Sequence, residues 1–457
     1  MSTDRARATA LAVLRAVREQ DAYVNLELAR LLRERRLSAR DAAFATELTA
    51  GTVRRQGTYD TVLAACLARP LPRTDPELLD VLRLGCHQLL VLRVPSHAAV
   101  STSVALARQA RGQGAARLTN AVLRKVATRD LDQWLAAVAP DVSVDPDGHL
   151  AVVHSHPRWV VRAFREALAQ AGPTRDDPVR QLTALLDADN LAPEVTLVAR
   201  PGLSTVDELL GAGAGAVPGR WSPYAVRLGS GSPGAVPAVR DGRAGVQDEG
   251  SQLAALLLAD AVVQGRDTRW LDLCAGPGGK AALLGALAAR RAARVVANEL
   301  APHRADLVRR TVAPLGPAVE VRVGDGRDIG HSEPASYDRV LVDAPCTGLG
   351  ALRRRPEARW RRQPSDLASL GVLQRSLLTA ALDATRPGGV VAYVTCSPHQ
   401  AETRAVVSDV LAARSETSPL DTPSLRPDVP AQRGPYLQLW PHLHGTDAMF
   451  VALLRRG

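Results

Sequence analysis

Over the first 135 positions apolar residues recur every three or four places, and no one-by-one alternation interrupts them. Leu11, Leu14 and Val17 fall on one helical face, as do Leu28, Leu31 and Leu32. Ser38 stands where a helix through Phe44 and Leu48 would start, with Asp41 in its first turn. A serine oxygen there accepts from backbone amides that the helix leaves free. TDPELLDVLRLG, Thr74 to Gly85, has a cap residue, an early proline and a closing glycine. Leu106, Leu118, Val122 and Val126 mark later helices. The pattern predicts an all-α domain over 1–135 with many exposed arginines.

APDVSVDPDGH, Ala139 to His149, is a polar linker. Beyond it the pattern is mixed. HPRWVVRAFREALAQAG reads as a helix ending at Gly172, EVTLVARPG as a strand and VDELLGAG as a short helix, before glycine and proline crowd 211–237. A small α+β module over 154–238 accounts for this. From Val239 onward short apolar runs alternate with helical ones. RWLDLCAG, RVVANEL, VEVRVGDG, RVLVDAPC and GVVAYVTCS read as strands; KAALLGALAARR, PHRADLVRRTVAPLG and LASLGVLQRSLLTAALDAT read as helices. Such alternation predicts a parallel sheet covered on both faces, an α/β domain over 239–457. MFVALLRR reads as a late edge strand and Ser415–Pro435 as a surface loop.

A chain of 457 residues fits three domains of roughly 150 residues each. With 3% aromatic residues, the cores must be built from Ala, Leu and Val. A formal net charge of +10 favours a polyanionic partner such as nucleic acid. Lys125 and Lys280 are the only lysines in this arginine-rich chain. The five cysteines are widely spaced and include no CxxC pair, which argues against a zinc site and against a disulfide framework. The amino terminus lacks a signal-peptide apolar core, and no run of about 20 apolar residues marks a membrane span. A cytoplasmic protein with reduced thiols and no metal is expected, and it is expected to be a monomer.

Ligands of an open parallel sheet bind outside the carboxyl ends of its strands. The first such end is DLCAGPGGK, Asp272 to Lys280, whose glycines let backbone approach a ligand. A Walker A loop would need glycine at 274 and a hydroxyl at 281, where the chain has Cys274 and Ala281. The next ends offer Glu299, Asp325, then Asp343 with Cys346, then Cys396. Acidic groups there would repel phosphates but accept ribose hydroxyls, an adenine amino group and a cationic centre. Cys66 and Cys86 lie in helical patterns and read as inert core. Cys346 and Cys396 each follow a strand at the functional rim, beside a proline, so one could be a nucleophile and the other a proton acceptor or donor. Cytosine carbon 5 becomes nucleophilic once a thiolate adds to carbon 6. That chemistry needs a nucleophile, an acid near ring nitrogen 3, a base and a methyl donor, and Asp343, Cys346 and Cys396 could supply the first three. ALRRRPEARWRR, Ala351 to Arg362, follows directly; Arg353, Arg354, Arg355, Arg359, Arg361 and Arg362 read as phosphate contacts.

DLCAGPGGK, VLVDAPCTGLG, YVTCSP and HGTDAMFVALLRR resemble the RNA 5-methylcytosine methyltransferases of the Sun, or RsmB-like, family. DAAFATELTAGTVRRQGTYD and LTNAVLRKV resemble its NusB-type helical RNA-binding domain. The resemblance implies a multi-domain chain: an all-α NusB-like domain, a small α+β RNA-binding module, and a Rossmann-like class I methyltransferase domain. It implies S-adenosylmethionine as methyl donor and a cytosine of 16S ribosomal RNA as substrate. It further implies Cys396 as nucleophile, Cys346 as the group assisting product release, and Cys274, Ala275, Gly276, Pro277, Gly278, Gly279 and Lys280 as the cofactor loop. Glu299, Asp325 and Asp343 would contact the cofactor. Members often have alanine at 276, threonine at 281 and aspartate at 299, and Arg-Val-Asn where VAR stands at 198–200. Arg54, Arg55, Arg117, Arg124 and Lys125 would extend the RNA footprint, whereas His97, His303 and His399 read as structural or solvent-facing. Two other readings are a methyltransferase acting on transfer RNA or another RNA, and a non-catalytic NusB-like RNA-binding factor.

Overall fold

Helices at Arg5–Glu19, Val24–Glu34, Ala39–Arg54, Gln56–Cys66, Pro76–Leu90, Ser96–Val126 and Leu131–Val138 fill the amino-terminal region, as the apolar spacing predicts. The structure is a computed structural model that describes residues 4–170, 177–213, 215–430 and 434–457. Ser38 caps its helix by accepting from the Asp41 amide at 3.2 Å, and Asp75 caps the helix that Pro76 opens. That helix does not stop at Gly85 but runs on to Leu90. Gly85 serves packing instead: a Cβ there would sit 2.5 Å from Leu123 Cδ1. The long helix from Ser96 is broken at Gly112, whose φ of +78° a residue with a side chain rarely adopts.

The chain divides into two compact units. Unit 1 holds residues 1–165, 179–192 and 352–362; unit 2 holds 166–178, 193–351 and 363–457. The stretch read as a separate module, 154–238, is thus shared between them. Its first helix, Arg158–Gln170 in its described part, begins in unit 1; the expected end at Gly172 lies outside the described residues. Unit 1 holds apolar clusters around Leu11, Leu48, Val81 and Leu106, around Tyr59, Leu63, Leu82, Leu123 and Trp134, and around Val13, Leu28 and Leu31.

Unit 2 contains two sheets. The smaller has β1 (Val195–Ala199), β2 (Val217–Pro218), β3 (Ala225–Leu228) and β4 (Ala244–Val246) in the order β2-β3-β1-β4, each pair antiparallel. β4 lies beyond 238, so a boundary there would cut through this sheet. Arg200, after β1, is buried and donates to the carbonyls of Gly242 at 2.6 Å and Thr311 at 2.8 Å. The larger sheet has β5 (Arg269–Asp272), β6 (Arg294–Glu299), β7 (Val319–Val323), β8 (Tyr337–Asp343) and β9 (Thr385–Thr395) in the order β7-β6-β5-β8-β9, all parallel. Next come β10 (Thr417–Pro419), β11 (Leu437–Gln438) and β12 (Phe450–Arg456). β12 pairs antiparallel with β9, and β10 and β11 pair with β12. MFVALLRR is therefore flanked on both sides, and the stretch expected to be a loop at 415–435 supplies the strand β10.

Helices Glu249–Asp260 and Gly279–Ala289 contribute to the core on one face of the large sheet, and Asp366–Ala384 and Arg404–Ala413 to the core on the other. This explains why β8 and β9 read as unbroken apolar runs. The strand order reverses at β5, which has β6 on one side and β8 on the other. A crevice for ligands opens at such a switch point, and the glycine loop follows β5 directly.

Candidate active site at the strand ends

The loop after β5 turns into the helix Gly279–Ala289 through Gly278, whose φ is +105°. A Cβ at Gly278 would lie 2.9 Å from Thr311 Cβ and 3.1 Å from Val308 Cα, so glycine is required twice over, by conformation and by space. The Gly276–Pro277 peptide is cis. Glu299 fastens the loop to the end of β6: its Oε2 accepts from Gly276 N at 3.0 Å and its Oε1 from Ala301 N at 3.0 Å. Arg304 donates to the Gly276 carbonyl at 2.8 Å. A Cβ at Gly276 would overlap Glu299 Oε2. The longer acid at 299 and the missing side chain at 276 are complementary.

Asp272, the last residue of β5, was not singled out by the strand-end pattern. It is 1% exposed and both its carboxyl oxygens lack a hydrogen-bond partner. Burial, with the charge of Asp343 adding to it and Lys280 offsetting part, raises its pKa to about 7. An unpartnered buried carboxyl beside a glycine cradle suits a cationic amino group. Asn298, also missed, donates to the carbonyls of Leu273 and Gly324 at 3.1 Å each and so ties the ends of β5 and β7 together. Asp325 accepts from the Arg327 amide at 2.9 Å and from its guanidinium at 3.0 Å. The side chain of Cys274 packs against apolar core, and burial pushes its thiol up. What Cys274 offers the crevice is backbone.

Lys280 is half-buried, and its ammonium lies 2.8 Å from Asp343 Oδ2. Burial alone would lower its pKa, but Asp343, Cys396 and Asp272 outweigh this and raise it. Lys280 is therefore a cation at neutral pH, and a cation beside a sulfur favours the thiolate. Cys346 and Cys396 come together with their sulfurs 3.3 Å apart. The hydrogen bond to Cys396 is the chief reason that the Cys346 pKa stands well above the ordinary thiol value, with burial second. Cys346 thus holds its proton beside Cys396. The five strand ends expected to share one rim do so, and the two thiols meet across β8 and β9.

The arginine run behaves otherwise. Residues 352–362 belong to unit 1. Arg359 is fully buried and donates to Arg54 O and Ser155 O at 3.0 Å, Asn190 Oδ1 at 2.9 Å and Asp189 O at 3.1 Å. Arg361 donates to Val17 O at 2.8 Å and Ala22 O at 2.6 Å, and Trp360 Nε1 to Val53 O at 2.9 Å. Several of these carbonyls close helices, where the last turn has no intrahelical donor and the dipole favours a cation. Arg359 and Arg361 are therefore committed to capping helices of unit 1, not to phosphates. Arg353 is buried, Arg354 and Arg362 are half-buried, and Arg355 is exposed with its guanidinium 5.0 Å from the Tyr23 ring centre. Arg54 is buried as well, whereas Arg117, Arg124 and Lys125 are exposed. Among the described residues no helix is long and apolar enough to cross a membrane, and no three His, Cys, Asp or Glu are grouped to hold a metal.

Residues 261–455 match the family described as 16S rRNA methyltransferase RsmB/F, and residues 4–128 match the NusB family. The chain is 54% identical to Rv1407 of Mycobacterium tuberculosis (strain ATCC 25618 / H37Rv) over 99% of its length and 97% of that protein. It is 33% identical to ribosomal RNA small subunit methyltransferase B of Xylella fastidiosa (strain Temecula1 / ATCC 700964), over 98% of this chain and 97% of that one. Among solved structures, that of PH0851 aligns with a TM-score of 0.81 at 21% identity, over 100% of this chain and 99% of the other. A likeness at that identity speaks to the fold alone.

Proposed function

The chain belongs to the RsmB/F family of 16S rRNA methyltransferases, and from that premise we propose that it methylates carbon 5 of a cytosine in 16S rRNA through a covalent bond from Cys396 to carbon 6. The observation that carries the reading is the pair of sulfurs 3.3 Å apart, with the Lys280–Asp343 ion pair near them.

S-adenosylmethionine supplies an electrophilic methyl group when bound. The residues present suit it: Asp272 for its ammonium group, the backbone of Cys274 to Gly279 for close approach, and Glu299 and Asp325 for its nucleoside. Cys396, as thiolate, adds to carbon 6 and pushes the ring electrons toward carbon 5. Lys280, paired with Asp343, lends a proton toward ring nitrogen 3 as the charge develops there and takes it back when the ring is restored. Carbon 5 then takes the methyl group. Cys346 removes the carbon 5 proton, the freed electron pair restores the double bond, and the Cys396 thiolate leaves.

The thiol pair times its own base. A negative Cys396 keeps Cys346 protonated, and that cause disappears once Cys396 is bonded to carbon. Cys346 can then pass its proton to water in the open crevice, and the resulting thiolate accepts the one on carbon 5. Replacing Cys396 by Ala is expected to abolish methyl transfer and leave S-adenosylmethionine binding intact; a fully active variant would overturn the mechanism. Replacing Cys346 by Ala is expected to trap a covalent protein–RNA adduct, seen as a shifted band on a denaturing gel.

A further inference from the structure

Two catalytic thiols on separate loops work as a pair only if something fixes their separation. The loop carrying Cys346 follows β8, and Cys396 follows β9; neither loop is a regular element. The residues beside each cysteine are joined. Thr347 Oγ1 and Ser397 Oγ lie 3.2 Å apart. Below them sits Glu402, which is fully buried. Its Oε1 accepts from the Thr347 amide at 2.7 Å and from Gln374 Nε2 at 3.2 Å, and its Oε2 from the Thr347 hydroxyl. Gln374, itself buried, also donates to the Pro345 carbonyl at 2.8 Å. The peptide groups on both sides of Cys346 are thus held by one buried pair. On the other loop the Gly350 amide donates to the Cys396 carbonyl at 2.9 Å, and Tyr393 Oη donates to the Glu402 carbonyl at 2.7 Å.

We propose that Glu402, through Thr347 and Ser397, is a positioning residue that sets the distance between the Cys346 and Cys396 sulfurs. A buried carboxyl is costly to leave without donors, and three donors converging on this one mean that the loop of Cys346 cannot shift without breaking a bond to it. Glu402 touches neither reacting atom. Its contribution is to product release, because the loop it holds is the one that carries the base. The inference rests on the roles given above to the two cysteines.

Three variants of the full-length chain test it: Glu402→Ala, Glu402→Gln and Cys346→Ala. With an RNA substrate, Glu402→Ala should lower kcat at least tenfold with little change in KM for RNA, and should accumulate the covalent adduct that Cys346→Ala traps. Glu402→Gln keeps an acceptor for the Thr347 amide and should recover part of the rate. A second readout does not depend on the mechanism. Phenylarsine oxide bridges two adjacent thiols, and mass spectrometry should show it bound to the wild type and lost or slowed in Glu402→Ala. If Cys346→Ala traps no adduct, the assigned role in release fails, and the arsenical result alone decides the positioning claim. Wild-type turnover and wild-type arsenical capture by Glu402→Ala would overturn the proposal. Thr347→Val, which removes only the hydroxyl link, is expected to show a weaker form of the same defect and stands in should Glu402→Ala fail to fold.

Discussion

At Asp272, burial and the neighbouring Asp343 carboxylate bring the pKa to about 7, where the group carries its proton through much of the acid range. An unfolded aspartate ionises near 4. The raised value therefore adds stability below about pH 4 that is lost as pH rises toward 7. A cationic ligand wants the ionised form, so S-adenosylmethionine should bind more weakly as pH falls through 7 and should release about one proton at pH 6 but almost none at pH 8.5. Calorimetry in two buffers of different ionisation heat counts that proton, and Asp272→Asn should remove the effect. Gly276 gives a second expectation at this scale. Gly276→Ala would push Glu299 off the two amides that it accepts and should weaken cofactor binding about tenfold, near 1.4 kcal/mol. Glu299→Asp in the same chain should restore part of this, so the two changes together cost less than their sum. The cysteines and acids at strand ends were legible because short apolar runs show where strands stop. Asp272 was quoted in a motif yet passed over, because its meaning lies in having no partner, which a sequence does not display.

Elements followed their patterns where one face met one core. The strands of the large sheet and the capped helices of unit 1 needed only period and caps. Failures came where a partner far along the chain overrode a local signal. Gly85 reads as a helix stop, but it marks where Leu123 packs against the helix. The arginine run reads as a solvated, phosphate-seeking face, since charge normally seeks water. In the structure the Arg359 and Arg361 donors are taken by carbonyls that close helices. Arg359→Ala would leave four acceptors without their donor and should destabilise unit 1 by about 3 kcal/mol. A urea titration followed by tryptophan fluorescence should show the transition moved to lower denaturant. Glu402 and Gln374 escaped notice for the same reason: one follows β9 and the other lies mid-helix, and only folding brings both beside Cys346.

For the whole molecule, length and pattern predict three parts, and packing groups the chain into two compact units. The second sheet completes itself with β4, drawn from residues assigned to the catalytic part. A formal charge of +10 pointed to a polyanion, and the family's rRNA substrate accords with that. Yet some arginines, Arg200, Arg339 and Arg359 among them, are buried and donate to carbonyls and carboxylates, so net charge overstated how many guanidinium groups are left for RNA. The segment 352–362 has one more consequence, set by the direction of synthesis. A ribosome delivers the amino-terminal helices first, but the arginines that close them emerge only after β5 to β8 have been made. The nascent chain therefore carries its first unit unfinished while much of the second is already threaded out. No single cut can part the two units without taking from the first the strand of chain that completes it.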